Sequence, residues 1–166
     1  AFWQRVGDVC VVLRDALRSG HTILIAGNGG SAAEADHFAA EIVGRYMRER
    51  RGYPAIALAA STATMTAIGN DYGYPEVFSR QVEAFGKPGD VLCVLSTSGN
   101  SENIKRAVQK AKEIGMTTVS FLGKGGGDLR TSAEYTLIVP GVTTARIQEL
   151  HLLVIHAICE EVEKGL

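Results

Sequence analysis

The sequence predicts an α/β fold, a three-layer αβα sandwich with a five-stranded parallel sheet. Three observations predict it. Helix-patterned and strand-patterned segments alternate along the 166 residues. The strand segments are continuous apolar runs, the mark of strands covered on both faces. Helical segments join the strands, as parallel neighbours require. The length fits a single domain, 1–166, and 46% apolar residues suffice for a sizeable core.

The elements follow in order. In residues 3–19, Val6, Val9, Cys10, Leu13 and Leu17 recur at helical spacing, and Gly20 stops the helix. Residues 22–26 (TILIA) form a short apolar strand. A helix is expected from Ser31 to about Glu49, then a second strand at 54–59 (PAIALA). Short helices are expected at 62–69 and 74–86, and a third strand at 91–95 (VLCVL). A helix at 101–114 leads to a fourth strand at 117–122 (TTVSFL), and 135–139 (YTLIV) forms the fifth. The last helix runs from about Thr144 to Glu163. The chain starts at Ala1 and enters an amphipathic pattern at once, so part of an N-terminal helical segment is expected to be missing.

Composition excludes several classes. Lys plus Arg is 17 and Asp plus Glu is 18, so no basic excess supports nucleic-acid binding. No apolar run of membrane length is present, and no signal-peptide pattern opens the chain. Cys10, Cys93 and Cys159 lie far apart in apolar contexts. They read as reduced core cysteines of a cytoplasmic protein.

In such folds ligands bind beyond the carboxyl ends of the strands. Two loops fall there. The first, Gly27-Asn28-Gly29-Gly30-Ser31, partly fits a dinucleotide fingerprint. However, the second strand ends Ala59-Ala60-Ser61-Thr62, without the acid that would hold a ribose. Ser31 and Glu34 fit an S-x-x-E capping box, and amides at a helix start suit an anion. The second loop, Ser96-Thr97-Ser98-Gly99-Asn100-Ser101, offers hydroxyls to a phosphate and a glycine for close backbone approach. It lacks a Lys-Ser/Thr pair and is no P-loop; a hydroxyl-rich helix cap would look similar.

His37 and Glu41 stand at i, i+4 on one helix face. A metal pair or an acid/base pair could use that geometry. So could a solvated stripe of Glu34, His37, Glu41 and Arg45 with a Glu41–Arg45 ion pair. From Leu150 to Cys159 the last helix is apolar nearly all round, except for His151 and His156. The sheet covers one face only, so another chain is expected on the other. The two histidines point to different sides, and His156 alone could be a core histidine.

The runs "GNGGSAAEADHFAAEIVGRY", "AIGNDYG", "STSGNS" and "RIQELHLLVIH" closely resemble the sedoheptulose-7-phosphate isomerases (phosphoheptose isomerases) of the sugar-isomerase (SIS) superfamily. The resemblance covers nearly the whole chain from about residue 20 and implies a flavodoxin-like SIS domain assembled as a homotetramer. The implied reaction converts sedoheptulose 7-phosphate to D-glycero-D-manno-heptose 7-phosphate through an enediol, toward the heptose of lipopolysaccharide or related glycans. By resemblance Asn28, Gly29, Gly30, Asn70 and Asp71 contact substrate. Ser96, Thr97, Ser98 and Ser101 hold its phosphate, with Ser31 nearby. Glu41 and His156 match the catalytic pair. His37, Glu41, Gln148 and His156 match zinc ligands, Gln148 also matching a substrate contact. Arg45 matches an arginine lent to a neighbouring active site.

A related branch associates with the bacterial replication initiator and lacks the glutamate and histidine at the positions of Glu41 and His156. The alternative reading is therefore a non-catalytic SIS module that binds a sugar phosphate or such a partner. Some isomerases carry an aspartate before "RIQE", where this chain has Thr143, Thr144 and Ala145.

Gln148 and His156 are eight residues apart, about 12 Å along a helix at 1.5 Å per residue. Side chains lean toward the helix N-terminus, so both can hardly reach one zinc from one helix. The expectation is a site between chains, with Gln148 or His156 supplied by a neighbour.

Overall fold

A computed structural model describes residues 2–166. It has six α-helices among the described residues: α1 (Phe2–Arg18), α2 (Gly30–Val43), α3 (Thr62–Tyr72), α4 (Ser79–Phe85), α5 (Glu102–Ile114) and α6 (Thr144–Glu163). Five strands, β1 (Ile23–Gly27), β2 (Ala55–Ala57), β3 (Val91–Ser96), β4 (Thr117–Leu122) and β5 (Tyr135–Ile138), form one sheet in the order β2-β1-β3-β4-β5. Every pairing is parallel, as the unbroken apolar runs require.

The alternating side chains of each strand feed two cores. Ile23, Ile25, Cys93, Leu95, Val119 and Phe121 pack under α1, α2 and α6. Leu24, Ala26, Leu92 and Val94 pack under α4 and α5. The strand order reverses between β1 and β3, whose carboxyl ends leave a crevice for a ligand. The three cysteines are buried and free. No helix of the described residues is long and apolar enough to cross a membrane.

The structure departs from the sequence expectation at several places; β2 is shorter, Ala55–Ala57, and α3 runs on to Tyr72. α2 stops at Val43, not near Glu49, because Arg50 folds back and donates to the carbonyls of Glu41, Ile42 and Gly44. Those are orphan acceptors at a helix end, and satisfying them from a loop ends the helix. Residues 74–86 split into a 3-10 turn at Tyr74–Glu76 and α4. A glycine-rich 3-10 segment at Lys124–Thr131, unforeseen from the sequence, follows β4.

The Ser31–Glu34 capping box does not form. α2 begins at Gly30 with Gly29 as its cap and no side-chain cap bond, so Ser31 is already inside the helix. Glu34 is buried instead of solvated, and both its carboxylate oxygens lack a hydrogen-bond partner. Burial pushes its pKa up to about 7, while nearby Ser31 opposes the shift without a well-formed bond. The folded pKa lies above the unfolded one, so folding binds a proton between pH 4.5 and about 7. The carboxyl is harmless below that window and destabilises increasingly as pH rises through it. At 1.36 kcal/mol per unit the loss approaches about 3 kcal/mol. Denaturant unfolding of Glu34→Gln at pH 5 and pH 8 is expected to show the variant gaining about that much on the native protein at the higher pH. An unchanged difference between the two pH values would refute the assignment.

Candidate active site and metal centre

The loop after β1 is shaped by its glycines. A Cβ at Gly27 would lie 2.4 Å from the Ser31 carbonyl oxygen, and one at Gly30 would lie 2.4 Å from Nε2 of Gln148. Gly29 adopts φ 56°, in the positive region that favours glycine. These residues bring Asn28, Gly29, Gly30 and Ser31 to one wall of a pocket. Ser96, Thr97 and Ser101 line the facing wall, with Thr144 and Gln148 of α6 closing it. The pocket thus joins both loops singled out in the sequence.

The second loop is held from within. Ser96 Oγ accepts from the Gly99 amide at 3.0 Å, and Ser98 Oγ accepts from the Asn100 amide at 3.2 Å. Ser98 is thereby turned into the loop and is not among the residues lining the pocket. The Gly99 carbonyl accepts from Leu129, and the Asn100 side chain accepts from the Asp128 amide at 3.0 Å. The unforeseen 124–131 segment is therefore the support of the serine loop.

A residue missed from the sequence links the two loops. Asn103, buried in the first turn of α5, exchanges two hydrogen bonds with Asn28. Asn28 Nδ2 donates to Asn103 Oδ1 at 3.0 Å, and Asn103 Nδ2 donates to Asn28 Oδ1 at 2.9 Å. Tyr74 Oη also donates to Asn28 Oδ1 at 2.8 Å. The one available signal was an asparagine on the otherwise apolar buried face of α5, beside Ile104, Ala107 and Val108. Asn70 and Asp71 are not brought into this pocket. They are exposed at the end of α3, where Asn70 Nδ2 donates to Asp71 Oδ1 at 2.9 Å.

Farther along α2 and α6 lies the second half of the site. His37 Nε2 is 2.9 Å from Glu41 Oε1, and His156 Nε2 is 3.1 Å from His37 Nε2. One donor atom from each of the three lies within 4.8 Å of the others. The solvated-stripe reading fails here, because His37 and Glu41 turn toward α6. The Glu41–Arg45 pair of that alternative is absent too. The helix has ended before Arg45, which is exposed and sits 3.7 Å from Glu49. His156 comes from the same chain as His37 and Glu41, so of the two residues considered for a neighbour's contribution, Gln148 or His156, Gln148 remains. Gln148, on the same helix, packs against Gly30 in the loop pocket. His151 is the core histidine: fully buried, it meets the Phe121 ring edge-on at 6.3 Å. Burial pushes its pKa down, which keeps it neutral.

The His37–Glu41–His156 group fits a metal. Two imidazole nitrogens and a carboxylate oxygen are a donor set typical of zinc. Tetrahedral ligands at 2.0–2.1 Å stand roughly 3.3 Å apart, close to the separations of 2.9 and 3.1 Å. Three protein donors leave a position open for a reacting oxygen.

The profile of the SIS domain matches residues 4–123. The chain belongs to the SIS domain family. This SIS domain is 51% identical over 161 residues to a phosphoheptose isomerase of Aquifex aeolicus, covering 97% of this chain and 84% of that one. It is 50% identical over 163 residues to a phosphoheptose isomerase of Clostridium acetobutylicum, covering 98% and 83%. Among solved structures it superposes on a phosphoheptose isomerase from Francisella tularensis with TM-score 0.94 at 36% identity, covering 99% of this chain and 87% of that one. The phosphoheptose isomerase GmhA from Neisseria gonorrhoeae gives 0.90 at 43% identity, covering 97% and 86%.

Proposed function

We propose that this SIS domain is a phosphoheptose isomerase, which interconverts sedoheptulose 7-phosphate and D-glycero-D-manno-heptose 7-phosphate. One observation carries the reading. The N-terminal ends of α2 and α6 line the pocket between the loops, and farther along the same two helices Glu41 and His156 converge. From Ser31 to His37 is about 9 Å of helix, and from Gln148 to His156 about 12 Å. A seven-carbon sugar with a terminal phosphate can span that distance; a triose phosphate cannot. The names of the relatives agree with this.

Isomerisation moves a proton between C1 and C2 through an enediol. Glu41 takes and returns the carbon-bound proton, and His156 serves the oxygen. His37 holds Glu41 through its 2.9 Å contact. Ser96, Thr97 and Ser101 belong to the phosphate end, with Ser31, and Asn28, Gly29, Gly30 and Gln148 to the sugar; Ser98, Asn70 and Asp71, which the resemblance implies as contacts, stand outside this pocket. Zinc is the metal we assign to His37, Glu41 and His156. When bound, it would polarise the substrate carbonyl. If Gln148 is a fourth ligand, the helix spacing requires it to come from a neighbouring copy. We further assign a cytoplasmic homotetramer with active sites between chains, to which Arg45 would contribute. The half-exposed Leu153 on α6 and the outward Arg45 support that assembly.

The test is incubation with sedoheptulose 7-phosphate and detection of the aldose product, before and after treatment with a chelator. Turnover that falls on chelation and returns with zinc is expected. No turnover, with phosphate still bound, would favour a non-catalytic sugar-phosphate module instead. The presence of Glu41, His156 and His37 in one cluster argues against that module.

A further inference from the structure

Behind the cluster, α2 and α6 are fastened by a buried ion pair that does not line the loop pocket. Arg50 and Glu163 have side chains only 10% and 3% exposed, with Nε 3.2 Å from Oε1. That pair is out of line for a hydrogen bond, so the guanidinium spends its other nitrogens elsewhere. Nη2 donates to the Glu41 carbonyl at 2.8 Å, and Nη1 to those of Ile42 and Gly44 at 3.0 Å. A lysine has no such planar fork. The carboxylate is as fully used. Glu163 Oε1 accepts from the Tyr46 amide at 2.9 Å, and Oε2 from Met47 at 2.7 Å and Arg48 at 2.8 Å. Burial raises its pKa, but those amides and the Arg50 charge outweigh it and hold the pKa below the usual value. The carboxylate is ionised when it grips the loop.

Two legs lead from this pair to the reacting groups. One is the Arg50 bond to the backbone of Glu41 itself. The other is Tyr46, whose amide is held by Glu163 and whose ring lies 5.7 Å from the His156 ring. A buried pair is poor evidence for stability, since well-packed apolar residues often serve as well. Its use here is better explained by the geometry it imposes.

We propose that Arg50 and Glu163 are positioning residues of the isomerase: Arg50 sets the Glu41 turn of α2, and Glu163 sets the Tyr46–Arg48 loop against His156. The inference rests on the functional reading above.

Arg50→Lys keeps the charge without the fork, and Glu163→Gln places an amide donor against amide donors. In each, kcat for sedoheptulose 7-phosphate is expected to fall at least tenfold, with KM changed less than about threefold. Val162→Ala makes a small cavity beside the pair and serves as the control, matched for loss of melting temperature and expected to keep kcat. Glu163→Asp retains a carboxylate and is expected to recover part of the loss. Amide exchange at residues 46–48 should accelerate in Glu163→Gln, and the His156 ring resonances should shift. The proposal is overturned if folded variants turn over like the native protein, or if Val162→Ala loses as much kcat. It is equally overturned if the 46–48 amides and the His156 resonances stay unchanged. If the native protein does not turn over sedoheptulose 7-phosphate, the exchange and resonance measurements still decide it. That failure would then belong to the functional reading.

Discussion

Glu41→Gln is expected to lower kcat by about a hundredfold to ten-thousandfold, the usual worth of a positioned acid or base. The amide keeps the size and polarity of the side chain but cannot take a proton. It stays within reach of His37 Nε2, now 2.9 Å from Oε1, so folding and the helix contact should survive. The measurement is turnover of sedoheptulose 7-phosphate together with wash-in of solvent deuterium at C1. Both should fall, and added zinc should restore neither. His37→Ala is the useful contrast, because it removes a metal donor and leaves the carboxylate. Its loss should be partly recovered at high zinc. Near-normal turnover by a folded Glu41→Gln protein would eliminate the proton-transfer role.

Gly99→Ala is expected to damage the serine loop as severely. Gly99 sits at φ 70°, and a Cβ there would stand 1.9 Å from the Gly126 carbonyl oxygen. The obstacle is backbone, not a side chain that can swing away. Gly126 is itself at φ 97° in the support segment, so the two loops must separate. The strained conformation alone costs about 1–3 kcal/mol, and losing the Leu129–Gly99 and Asp128–Asn100 bonds adds about 1 kcal/mol each. Denaturant unfolding should show a loss of several kcal/mol, and KM for the sugar phosphate should rise at least tenfold. Gly125→Ala is the control: it also has positive φ, at 79°, but a Cβ there meets nothing within 4 Å. A mild effect at Gly99 would show that the serine loop does not depend on this packing.

Much of the fold was legible because its signals are local. β4 and α6 have the bounds that periodicity gave them, 117–122 and 144–163. The two loops of the pocket were placed by glycines and hydroxyls at strand ends. The failures share a cause. Ser31 and Glu34 have the composition of a capping box, but the turn at Gly29 starts the helix earlier and buries Glu34. α2 was read six residues too long because its terminator, Arg50, acts from outside the helix. Asn103 looks like any helix-start asparagine until Asn28, 75 positions away, is beside it.

The sequence by itself determined the parallel αβα sandwich, the position of the two loops that meet at the pocket and the placing of His37 and Glu41 on one helix face, since those follow from periodicity, turn chemistry and helical spacing. Only the tertiary structure decided that His156 of the same chain completes that pair and that Arg50 and Glu163 fasten the arrangement from behind. These depend on how α2 and α6 lie across one another, and packing over 119 positions of chain, from His37 to His156, leaves no periodic trace in either segment.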